Sequence, residues 1–66
     1  MTAPAIYDRV RYVGPSQGQV VTGSLGYVIE DYGDGNFEVE FSASHDGTTY
    51  GVLVVPATQL ERAEAR

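Results

Sequence analysis

Between residues 37 and 41 the chain alternates strictly, with Phe37, Val39 and Phe41 apolar and Glu38 and Glu40 acidic. A period of two means a strand with one buried and one wetted face, in a well-specified register. Residues 8–13 repeat the pattern, Val10 and Tyr12 on one side and Arg9 and Arg11 on the other. Residues 24–32 form a second strand in which Val28 and Ile29 are adjacent. The apolar side chains of that strand can share one face only if it bends or carries a bulge. Gly26 within it marks a place where another backbone comes close or the strand coils sharply. Residues 48–55 form a fourth strand whose two faces are both apolar, Tyr50, Val52 and Val54 against Leu53 and Val55, so the pattern leaves its inward face open.

Turn chemistry separates these segments. Gly14-Pro15-Ser16-Gln17-Gly18 cannot continue a strand and opens a long loop that ends near Gly23. Gly33-Asp34-Gly35-Asn36 supplies residues that accept positive φ, as a tight hairpin requires. Ser44-His45-Asp46-Gly47 reads as a second turn. Pro56 should end the fourth strand, and residues 57–60 have the length of one helical turn, with Leu60 plugging one end of the core. Residues 61–64 are expected to pair as a short fifth strand; the alternative is a helical tail, since Glu, Arg and Ala favour helix. The whole is therefore all-β: a single domain over residues 1–66, with an ordered core of about 6–63, built as a small five-stranded SH3-like barrel with one short helical turn before the last strand.

The run Gly23-Ser24-Leu25-Gly26-Tyr27-Val28 followed by Phe37-Glu38-Val39-Glu40-Phe41 resembles the Gly-x-x-Gly-x-Val and Val-x-Phe signature of KOW-type barrels. With Tyr7-Asp8-Arg9-Val10, Asp46-Gly47-Thr48 and Pro56-x-x-x-Leu60 added, the chain resembles the short bacterial domain-of-unknown-function family 4926 over about residues 6–63. That family usually carries Gly-Asp-x-Gly at the loop end, where this chain has Gly-Ser-Leu-Gly. The resemblance implies a stand-alone barrel without an established reaction, and the toxin-like genes beside some members imply an antitoxin or immunity role. Ala5-Ile6-Tyr7-Asp8 also looks like the opening of signalling SH3 domains, but the chain has no tryptophan to line a Pro-rich peptide groove.

A chain of 66 residues buries only about 60% of its unfolded surface, so stability should be modest. It has no cysteine and a single histidine, His45, which leaves the core to hold the fold without disulfide or metal; no cofactor is expected. Four basic residues, all arginine, against nine acidic ones give a net charge of −5. This balance disfavours nucleic acid, whose phosphates call for a basic face, and favours a protein partner with a basic surface. The longest apolar stretch, residues 52–55, is far short of the about 20 residues a membrane helix needs, and residues 1–6 lack the pattern of a signal peptide, so a cytoplasmic location is expected.

Catalytic readings are thin. His45 sits between Ser44 and Asp46 in a turn, with no nucleophile placed for it. Asp31, Asp34 and Asn36 lack the alternating ligands and distal Glu of a calcium loop. Ser16, Ser24, Ser42 and Ser44 have no paired histidine and acid at a recognisable spacing. A non-enzymatic protein-interaction module is expected. Its candidate contact residues are Tyr7, Tyr12, Gln17, Gln19, Tyr27 and Tyr50, because tyrosine offers large area with a polar tip and the glutamines lie in the long loop. Core packing is the competing reading of those tyrosines, and a solvated face that of Glu38 and Glu40. RNA or ribosome association, and self-association through a sheet edge, stay open as alternatives.

Overall fold

A computed structural model describes residues 4–42 and 49–63; the Ser44 to Gly47 turn, with His45, and the side chain of Tyr50 lie outside the described residues. Among the described residues five strands form one antiparallel sheet: β1 (Arg9–Tyr12), β2 (Leu25–Asp31), β3 (Asn36–Ser42), β4 (Thr49–Pro56) and β5 (Leu60–Arg62), in the order β4-β3-β2-β1-β5. A 3-10 turn, Ala57–Gln59, stands directly before β5. The fifth segment is thus a strand and not a helical tail as far as Arg62. Pro56 is the last residue of β4, where the strand was expected to end.

The β2–β3 hairpin forms where the glycines allow it, Gly33 at φ 81° and Gly35 at φ 94°. Asp31 and Asp34 carboxylates accept the Gly33 and Asn36 N–H groups at 2.9 and 3.1 Å, so these acids build the turn. The bulge expected beside Ile29 is present, the register slipping between Val28↔Val39 and Glu30↔Glu38. A second slip lies between Phe41↔Gly51 and Ser42↔Thr49. Both irregularities add twist. The sheet can then curl far enough to bury Val10, Tyr12, Val28, Phe37, Val39, Phe41 and Val55 in one cluster.

Pairing of β3 with β4 decides the face that the sequence left open. Phe37 lies opposite Val55 and Val39 opposite Leu53, so Leu53 and Val55 go inward, while Val52 and Val54 stay 46% and 57% exposed. Leu60 packs half-buried against the cluster, as expected. A closed barrel is not formed: among the described residues no ladder joins β4 to β5, and the sheet curls around its core with two free edges. The closure expected from the sequence would need β4 and β5 to meet, and among the described residues β5, three residues long, pairs with β1 alone. No helix among the described residues is long and apolar enough to cross a membrane.

Candidate functional site

The chain enters β1 through a tight corner. The Ala5 N–H donates to the Asp8 carboxylate at 2.9 Å and the Asp8 N–H returns to the Ala5 carbonyl at 3.0 Å. Arg62 then clamps Asp8 from β5, its Nη2 3.1 Å from the same carboxylate oxygen. The Ala5 N–H, above all, holds the Asp8 carboxyl below its ordinary pKa; desolvation opposes it, and the charge and hydrogen bond of the Arg62 guanidinium add to the lowering. Inside this corner Tyr7 has φ 74°, and it is the one non-glycine residue with positive φ among the described residues. Its N–H donates to the Val28 carbonyl at 2.6 Å, which fastens it to β2. The ring nonetheless stands 78% exposed.

Beyond Tyr7 the outer face of the sheet carries cross-strand rows. Arg9 faces Tyr27, Tyr27 faces Glu40 and Glu40 faces Val52. The Arg9 guanidinium carbon lies 5.8 Å from the Tyr27 ring centroid, a cation–π distance. In the next row Glu30 faces Glu38, two acids directly opposed. Tyr32, half exposed, donates its hydroxyl to Glu38 at 2.8 Å. That bond to a carboxylate, first, then desolvation and the negative charge of Glu38 and Glu30 raise the Tyr32 pKa above its ordinary value. The outer face thus carries exposed Tyr27 and Tyr32 among Glu30, Glu38 and Glu40, and the corner that bears exposed Tyr7 is tied by its backbone to Val28, the residue next to Tyr27.

Two of the six candidate contact residues, Tyr7 and Tyr27, are among these exposed rings. Tyr12 does not: it is fully buried, edge-on to Phe41 with ring centroids 5.9 Å apart. Its hydroxyl donates to the Pro15 carbonyl at 2.6 Å and accepts from Gln17 Nε2 at 2.9 Å. Tyr12 and Gln17 therefore hold the loop between β1 and β2 onto the core, and Tyr12 offers a partner no surface. Gln19 is exposed on that loop at the far end of β1 from Tyr7. Val20 beside it turns inward, 2% exposed, and the Gln17 and Val20 backbones pair. Ser16 and Ser24 are used up in the same loop, their hydroxyls accepting the Thr22 and Val21 N–H groups. Glu30 carries no signal of its own in the sequence. Its opposition to Glu38 depends on the bulge at Ile29, whose register effect no local pattern records.

The arginines are committed locally. Arg62 pairs with Asp8, Arg11 lies 3.8 Å from Glu61, and Arg9 covers Tyr27, so the described residues present no free basic stripe. A family model described as "Domain of unknown function (DUF4926)" matches residues 6–62. No curated protein and no solved structure matches the chain.

Proposed function

The chain belongs to the DUF4926 family, and from that premise we propose that it is an SH3-like, non-enzymatic binding domain whose acidic aromatic corner docks a protein with a basic surface. The observation that carries this reading is Tyr7. A bulky L-residue at positive φ costs about 1–3 kcal/mol, and Tyr7, 78% exposed, recovers little of it by burial. A glycine would satisfy the same turn without strain. Holding an exposed ring in that posture makes sense where the ring meets something else. The opposed pair Glu30 and Glu38 adds a second local cost a few residues away, and departures from local rules gather at functional sites. Tyrosine anchors ringed by carboxylates suit a lysine- or arginine-bearing patch, through area, cation–π contact and charge.

The net charge of −5 and the internal engagement of Arg9, Arg11 and Arg62 favour a protein over RNA. An antitoxin-like role, in which the bound protein is neutralised, is the narrower form of the proposal, and a cytoplasmic setting goes with it. Affinity capture from native lysate, run with the wild type beside Tyr7→Gly and Tyr27→Ala, tests it. A stoichiometric protein that salt elutes and both variants fail to retain supports the reading. Equal retention by both variants, or recovery of RNA alone, contradicts it.

A further inference from the structure

The two edges of the sheet are unlike. β5 is three residues long and charged at Glu61 and Arg62, the usual protection of an edge against strand addition. β4 is eight residues long, and residues 49–56 contain no charge at all. Which of its backbone groups are free follows from parity. The Ala57 N–H donates to the Gly35 carbonyl at 2.9 Å, and in an antiparallel ladder groups that face a neighbour recur every second residue. Gly51, Leu53 and Val55 therefore bond to β3, while Val52 and Val54 point N–H and C=O away from the sheet. No other backbone group among the described residues reaches them.

We propose that this edge pairs with β4 of a second copy of the chain, antiparallel about a two-fold axis at Leu53. In that register Val52 of each copy exchanges both hydrogen bonds with Val54 of the other, which uses the four outward N–H groups of these valines. The exposed Val52 and Val54 then become two cross-strand β-branched pairs, a favourable partnership on a sheet face. Half-buried Leu53 meets its own copy on the inner side. Pro56, lacking an N–H, ends the ladder cleanly.

Charge selects this occupant. A basic strand would find no acid on β4 itself, whereas an uncharged strand such as β4 leaves nothing unpaired. The nearest acids, Glu38 and Glu40, sit on β3. In the pair, the two β3 strands are three strand spacings apart, about 14 Å, beyond the Debye length of about 8 Å at physiological ionic strength. The remaining repulsion is that between two chains of net charge −5, so salt should strengthen the association.

Sedimentation equilibrium at low and high salt, over a wide concentration range, tests the proposal. The wild type should show a monomer–dimer equilibrium that shifts toward dimer as salt rises. Val54→Pro removes one outward N–H and no bond of the β3 ladder; it should weaken dimerisation at least about tenfold, two hydrogen bonds being lost per dimer. Val52→Lys is the second variant, which places a charge at the edge without touching the backbone, and it should also yield monomer. Tyr7→Gly should leave dimerisation unchanged, which separates this edge from the aromatic corner. A wild type that stays monomeric throughout, a dimer that salt dissolves, or a dimer that survives both β4 substitutions would overturn it. So would a monomer whose Val52 and Val54 amides gain protection only when a lysine-rich peptide is added, since the occupant would then be a basic strand.

Discussion

Gly26 lies so close to Glu40 that a Cβ on the glycine would stand 2.5 Å from the Glu40 carbonyl oxygen, with Phe41 Cδ1 at 2.9 Å and Val39 Cγ1 at 3.0 Å. The first of these is backbone held in the β2–β3 ladder and cannot step aside. Gly26→Val should therefore destabilise the fold by about 1–3 kcal/mol. Urea unfolding would measure it, and an unchanged midpoint would mean that the two strands can separate at no cost.

Tyr12 closes the loop between β1 and β2 through one hydroxyl shared by Pro15 and Gln17. Tyr12→Phe keeps the edge-on packing against Phe41 and removes only those two bonds. A loss of about 1–3 kcal/mol is expected, since the Pro15 carbonyl and the Gln17 amide lose a partner. Hydrogen exchange should also show the Gln17 and Val20 amides opening faster than those of β3.

Glu30 and Glu38 repel one another across the ladder. Glu30→Gln should raise stability by about 0.2–1 kcal/mol at low salt, and the gain should fade as salt is added. The same substitution should weaken partner capture. A variant that is both more stable and fully competent to bind would separate the acidic pair from function.

Asp8 contributes to the loss of stability in acid. Its folded pKa is lowered, so the fold favours the ionised carboxylate. The contribution is fully present above the unfolded pKa and is lost as pH falls through the folded value. Asp8→Asn should melt below the wild type at neutral pH, and the two curves should converge in acid. Curves that stay parallel down through the carboxylate range would show that the Ala5 and Arg62 contacts add nothing.

Much of this was readable from single residues, and the failures have physical reasons. Phe37, Val39 and Phe41 declared their face because Glu38 and Glu40 lie between them, and the β2–β3 turn was legible in its glycines. On β4 the rule had no contrast to act on: Val52 and Val54 are as apolar as Leu53 and Val55, and only the register with β3 told them apart. Tyr12 looked like a contact residue because a tyrosine can serve core or surface. Its burial depends on Pro15 and Gln17 folding back over it. Tyr7 gave no hint of positive φ, since that posture is set by the Ala5, Asp8 and Val28 bonds and runs against the preference of the residue. Closure between β4 and β5 depends on how far the sheet curls, a sum over bulges that no short stretch of sequence records.

Amide hydrogen exchange along β4, followed by NMR in dilute solution where the chain is monomeric, bears most directly on the open sheet edge from which the pairing of two copies follows. Leu53 and Val55, bonded to β3, should exchange slowly, and Val52 and Val54, facing outward, should exchange rapidly. Uniform protection from residue 52 to residue 55 in the monomer would mean that this edge is already covered, and would contradict the account.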